Sequence, residues 1–233
     1  RSHGSGGGAG GSIWIEADSL AGSGSFIADG GNGALVSEED SGGGGGGRIA
    51  LYYAGSSFSG DLQAFGGEGS SIGCGGAGTI YLKNKNESEG SVVLNNNSNA
   101  YTSTIIETPA QFNLTVSSGA QAALENLFAI KTLTVEAGGN VVNTEGMDHS
   151  EGTVSGDLTV QTDGSIQANA DFNTGGDVIV ETGGLISADY LGFANQEGPG
   201  AGTGTRADAA GGGGGAYGGN GGKPGSPYQG GTG

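Results

Sequence analysis

A short apolar-x-apolar triplet recurs seven times along the chain, and this recurrence constrains the fold more than any other feature. The copies are Ile13-Trp14-Ile15, Ile49-Ala50-Leu51, Ile80-Tyr81-Leu82, Leu114-Thr115-Val116, Leu133-Thr134-Val135, Leu158-Thr159-Val160 and Val178-Ile179-Val180. Such alternation marks a strand with one buried face. A glycine turn and a second alternating strand follow: Phe26/Ala28, Leu62/Ala64, Val92/Leu94, Val141/Asn143, Ile166/Ala168 and Ile186/Ala188, with the copy after Leu114 less regular around Ala120 and Ala122. The offset between the two strands is the same in the last three copies (133 to 141, 158 to 166, 178 to 186) and again the same in the first two (13 to 26, 49 to 62). Equal offsets place equivalent corners above one another in stacked coils.

The expected fold is therefore all-β, a right-handed parallel β-helix of about seven rungs with long glycine-rich loops. A β-sandwich is the rival, because alternating strands separated by frequent turns also describe that architecture. The spacing between triplets shortens along the chain. This divides a unit over 1–190 into loop-rich rungs (1–97), an irregular middle (98–130) and compact rungs (131–190), followed by a glycine-rich loop or linker over 191–233. Asn143 falls at an inward position and needs its amide satisfied by backbone at a corner.

Glycine accounts for 56 of 233 residues, with 7 Phe, 7 Tyr and a single Trp, so only a narrow core can form. Collagen is excluded, since it requires glycine at every third place and abundant imino acid, and the chain holds 4 prolines. The runs at 42–47, 66–78 and 198–233 have the composition of flexible linkers. Ile72, Tyr217 and Tyr228 punctuate them, which suits extended loops laid along the flank of the coil.

The formal charge of −17, from 7 Lys+Arg against 24 Asp+Glu, sets the chain against nucleic acid and anionic membranes. No apolar run approaches a membrane span or a signal-peptide core, and the chain reads as a processed product or a piece of something longer. Its single cysteine, Cys74, forms no intrachain disulfide and belongs to no C-x-x-C motif. No cofactor is expected. Neither a D-x-D-x-D-G spacing nor a G-G-x-G-x-D tandem occurs, which leaves only weak Ca2+ binding by the acidic surface open.

Catalysis is not expected either. Polysaccharide cleavage on this architecture uses paired carboxylates or a base with a cationic clamp, whereas Arg1, Arg48, Lys83, Lys85, Lys131, Arg206 and Lys223 are scattered. Glu38-Glu39-Asp40 reads as a solvated loop. His3 is isolated, and Asp148-His149 lacks a serine elbow or metal partner. The glycine runs carry no Gly-Lys-Ser/Thr and open no helix, so they are not phosphate cradles.

Three N-glycosylation sequons stand near the middle, at Asn86, Asn96 and Asn113. Asn86 and Asn96 lie in loop-like contexts; Asn113 flanks a strand and points outward by alternation. They imply a secreted, eukaryotic product carrying covalent glycans.

Three stretches carry a family resemblance: Gly-Gly-Ala-Gly-Gly-Ser-Ile-Trp-Ile from 7 to 15, Gly-Ser-Gly-Ser-Phe-Ile-Ala-Asp-Gly-Gly from 22 to 31, and Gly-Gly-Gly-Gly-Arg-Ile-Ala-Leu-Tyr-Tyr from 44 to 53. They resemble very large glycine-rich tandem-repeat proteins of protist and microbial cell surfaces. The run from 211 to 222 is similar to the stretch leading into the next unit of such proteins. The resemblance covers most of the chain outside 98–130. It implies β-helix-like units with a surface or fibre role and no known reaction.

Neither end shows a capping element, so head-to-tail stacking of units is expected, within one longer chain or as a polymer of copies. The functional expectation is a structural subunit of an extracellular fibre or cell-surface appendage. The alternative is an adhesin or carbohydrate-binding module, whose ligand would lie across Trp14, Tyr52 and Tyr81, all outward by alternation. The same rings could instead pack beneath the glycine-rich loops. An ice-binding face would require a regular Thr-x-Thr array, which is absent.

Overall fold

The computed structural model describes residues 4–34, 41–69, 73–99, 102–106, 111–125, 127–145 and 149–192. The expectations at Arg1, His3, Glu38-Glu39-Asp40, Ile72, Asp148, Arg206, Tyr217, Lys223, Tyr228 and the run at 198–233 lie outside these residues. The chain divides into two compact units, Arg1–Ser187 and Ala188–Gly233. The described part of the second unit is short and includes an exposed Tyr190 with a left-handed backbone (φ 61°).

The described chain is all-β, without helix. Its first part holds β1 (Ser12–Glu16), β2 (Ser19–Gly22), β3 (Ser25–Ile27), β4 (Arg48–Tyr53), β5 (Gly55–Phe58), β6 (Asp61–Gln63) and β7 (Thr79–Asn84). The second part holds β8 (Gly90–Asn95), β9 (Ser103–Ile106), β10 (Phe112–Ser117), β11 (Gln121–Leu124), β12 (Leu127–Ile130), β13 (Thr132–Val135), β14 (Asn140–Asn143), β15 (Ser150–Val154), β16 (Leu158–Val160), β17 (Ser165–Gln167), β18 (Ala170–Thr174), β19 (Val178–Val180) and β20 (Leu185–Ser187).

All seven triplets fall in one eight-stranded sheet of order β1-β4-β7-β8-β10-β13-β16-β19. Their apolar residues are in register: Ile13↔Ile49↔Ile80 on one side and Leu114↔Leu133↔Leu158↔Val178 on the other. The second strands β9, β11, β14, β17 and β20 form a five-stranded sheet in which Ala122, Val141, Ile166 and Ile186 align. The pairs β2-β5 and β3-β6 and the trio β12-β15-β18 complete the ladders. Every pairing is parallel except β7 with β8, a pattern foreign to an antiparallel sandwich.

That exception overturns one expectation. Val92 and Leu94 are not a second strand of the third repeat. They lie on β8, in the same sheet as the triplets, antiparallel to β7 and parallel to β10. The reversal also moves the core to the other face of the sheet. Ile49, Leu51 and Ile80 form one buried cluster, with Ile13, Ile15, Leu82 and Val93 packed against it. Val92, Leu94, Leu114, Val116, Leu133 and Val135 belong to another, against which Tyr81 packs. Since directly opposed residues share a face, the pairs Ile80↔Val93 and Tyr81↔Val92 put the two clusters on opposite sides of one sheet. Among the described residues of 98–130, expected to be irregular, β9 through β12 all pair in register.

The glycine-rich segments at 4–11, 28–34, 41–47, 64–69 and 73–78 are ordered, and their hydrogen bonds recur every third residue. Gly7 and Gly10 donate to Gly42 and Gly45, Gly43 and Gly46 donate to Gly73 and Gly76, and Gly30 and Gly33 donate to Phe65 and Glu68. Crossed sets run in the opposite sense: Gly31 and Ala34 donate to Gly8 and Ser5, while Gly44 and Gly47 donate to Gly31 and Ala28. A period of three with no bonds inside a segment is that of polyproline II chains, which satisfy their backbone through neighbours. Segments 4–11, 41–47 and 73–78 run one way and 28–34 and 64–69 the other, packed so closely that a Cβ at Gly44 would stand 2.5 Å from the Gly8 carbonyl carbon. Here glycine is required by close approach rather than by a turn.

Candidate functional site

The outward face of β1, β4 and β7 carries the aromatic residues singled out in the sequence. Register aligns Trp14, Ala50 and Tyr81 in one row and Glu16, Tyr52 and Lys83 in the next. Ala50 is small, and the Tyr52 ring reaches both neighbours, 4.7 Å from the Trp14 centroid and 5.7 Å from that of Tyr81. Both separations are in the favourable range for tilted or edge-on aromatic pairs. The rings form a contiguous group. Tyr81 packs across Gly90, where a Cβ would strike the ring, and against the cluster of β8 and β10. Burial, and then the neighbouring Tyr52, push its hydroxyl pKa above the ordinary tyrosine value. Trp14 is 67% exposed.

Charged groups border the rings. Lys85 bridges to Glu16 at 3.0 Å, and the Lys83 ammonium donates to the carbonyls of Glu87 and Ser88, each at 2.7 Å, closing the β7–β8 turn. Arg48 shares the outward face. Lys83, Lys85 and Arg48, scattered in the reading of the sequence, thus share one face, with Glu16 paired to Lys85.

The three sequons have different environments. Asn86 is exposed on the β7–β8 turn, its side-chain amide donating to Ala54 O at 2.8 Å. Asn113 is half-buried on β10 and accepts a hydrogen bond from the Thr132 hydroxyl at 2.9 Å. Asn96 is fully buried. Its amide nitrogen donates to Gly75 O and Asn99 O, and its oxygen accepts from Gly66 N–H at 2.7 Å. A glycan at Asn96 has no space in this fold, so the expectation there gives way to a structural role: Asn96 fastens the glycine segments to the end of β8. The residues after it, Asn97 and Ser98, take left-handed backbone (φ 49° and 67°) to bring the amide round.

Asn143 behaves as its inward position demands, donating to Ser150 Oγ and Asn169 O and accepting from Asn169 N–H. His149 lies 3.5 Å from an Asp171 carboxylate oxygen and faces Asn169. Cys74 is half-buried, with its carbonyl taken by the Thr102 hydroxyl. Among the described residues no group of three His, Cys, Asp or Glu side chains is arranged to hold a metal ion, and no helix is long and apolar enough to cross a membrane.

The last strands are open where their alternation placed apolar residues inward. Val178 and Val180 on β19 are 53% and 47% exposed, and Leu185 and Ile186 on β20 are similarly open. The register partners of Val178, Val180 and Ile186, namely Leu158, Val160 and Ile166, are buried. No family model, no curated protein and no solved structure matches this chain.

Proposed function

We propose that the chain is a structural unit of an extracellular fibre or cell-surface appendage, wound as a parallel β-helix and stacked head to tail on further copies. The reversal at β7–β8 is compatible with one hand of winding. Turning the strands round while the axis advances would invert the hand, but moving the core to the opposite face restores it, and crossover chirality favours right-handed.

The observation that carries the reading is the half-exposed apolar tier of β19 and β20 above fully buried equivalents. Among the described residues β19 pairs only with β16 and β1 only with β4, so each end offers a strand edge able to extend a ladder. A heterologous contact of this kind does not close and yields a filament. The acidic charge limits sideways clumping, and the exposed Asn86 is the sequon best placed for a glycan.

Sedimentation and electron microscopy of the full chain test the proposal. Filaments with an axial rise of about 38 Å, eight strands at ~4.8 Å each, are the expected result. A compact monomer at high concentration would overturn it. The exposed Trp14 ring beside Tyr52 favours the second reading, a carbohydrate-binding adhesin; glycan-array binding lost in Trp14→Ala without loss of assembly would support it.

A further inference from the structure

The middle residue of each triplet divides the eight-stranded sheet into two kinds of strand. In β10, β13 and β16 it is Thr115, Thr134 and Thr159, and in β4 it is Ala50. At that position these strands carry no large apolar side chain. In β7 and β8, where the core changes sides, it is Tyr81 and Val93, so Ile80-Tyr81-Leu82 and Val92-Val93-Leu94 are apolar on both. The physical reason is local. Each junction strand packs its own core on one face and is overhung by its neighbour's core on the other. Tyr81 accordingly packs against the Val92/Leu94 cluster, and Val93 against the Ile80/Leu82 side.

Only two other strands of the sheet carry a large apolar residue at this middle position, and they are its edges: β1, Ile13-Trp14-Ile15, and β19, Val178-Ile179-Val180. Their middle residues are open, Trp14 at 67% and Ile179 at 45% exposure, and among the described residues neither belongs to or packs against a core cluster. Two large apolar side chains are thus presented where interior strands place threonine or alanine.

We propose that β19 of one copy pairs antiparallel with β1 of the next, so that the junction between copies repeats the change of core face that β7 and β8 make within one chain. Resting on the stacking reading above, this specifies the surface and the geometry. The chain reverses strand direction once, so β1 and β19 run oppositely, and a copy displaced along the axis without a half-turn presents β1 antiparallel to β19. Register then fixes the faces. Trp14 lies on the face of Tyr81, which is the face of Val92, Leu114 and Val178, so it covers Val178 and Val180 as Tyr81 covers Val92. Ile179 lies on the face of Val93 and meets Ile13 and Ile15 as Val93 meets Ile80. The competing arrangement turns the second copy by half a turn. It pairs the strands in parallel, sets Ile13 and Ile15 over Val178 and Val180, and leaves Trp14 and Ile179 in solvent.

The test uses the full chain. Ile179→Thr gives β19 the composition of the interior strands and Ile179→Val is its control, while Trp14, the only tryptophan, reports the interface by its emission and its quenching by acrylamide. The expected result is that assembly shifts Trp14 emission to the blue and shields it. Ile179→Thr should associate at least about tenfold more weakly, the loss from withdrawing one buried aliphatic side chain, with unchanged circular dichroism, and Ile179→Val should associate as the parent does. Filaments in which Trp14 stays quenchable and Ile179→Thr assembles normally overturn this junction while leaving stacking intact. Assembly that stops at a closed dimer also overturns it. A parent chain that never assembles overturns the stacking reading itself.

Discussion

Replacing Gly44 by alanine probes the glycine layer most directly, because Gly8, which it contacts, serves as an internal control. A methyl at Gly44 would stand 2.5 Å from the carbonyl carbon of Gly8 and 2.9 Å from the oxygen of Gly7. Ordinary carbon contacts begin near ~3.5 Å, so segments 4–11 and 41–47 must part by about 1 Å. The two bonds that span these segments, Gly7 N–H to Gly42 O and Gly10 N–H to Gly45 O, each 2.9 Å, cannot both survive that movement. Two backbone bonds at about 1 kcal/mol each, with the strain of overpacking at roughly 1–3 kcal/mol, give a loss of about 3–5 kcal/mol. Gly8→Ala adds its methyl where nothing lies within 4 Å, and restricting the unfolded chain offsets any small cost, so its stability should change by less than about 1 kcal/mol. Urea unfolding followed by circular dichroism, with midpoint and slope compared among the parent and both variants, measures the difference. Equal midpoints for the two variants would refute the account of glycine as a requirement of close packing.

Asn96→Ala removes the acceptor of Gly66 N–H and the donor to Gly75 and Asn99, and should cost about 2–4 kcal/mol in the same assay; a change below about 1 kcal/mol would show that the amide does not fasten the layer. In material secreted by a eukaryotic host, peptide mass spectrometry should find glycan at Asn86 and none at Asn96, and an occupied Asn96 in folded protein would contradict its burial. The raised pKa of Tyr81 means that the folded state holds the phenolic proton more tightly than the unfolded chain. Its stabilising contribution is therefore complete below about pH 10 and is lost as pH rises through the folded value. Tyr81→Phe should flatten that alkaline decline relative to the parent in unfolding measured from pH 8 to 11, and parallel curves would refute the assignment.

The triplets, their equal offsets and the all-β character were legible in the sequence because a strand's period of two is written into consecutive residues. Leu133, Leu158 and Val178 stack as their spacing requires, and Asn143 finds the backbone partners its inward position demands. The aromatic group was legible only as three outward residues; that Tyr52 bridges Trp14 and Tyr81 depends on Ala50 lying between them in register. Asn96 appeared as an open sequon, since a sequon says nothing of burial.

The sequence by itself determined which residues form strands and which face of each seeks a core, because both follow from local alternation. Only the tertiary structure decided that the chain reverses at β7–β8 and transfers its core to the other face. Alternation is blind to strand direction, and a hairpin and a parallel return can carry the same pattern. The glycine segments were decided there too. Their hydrogen bonds run between segments and not within one, so their order exists only once the neighbouring segments are in place.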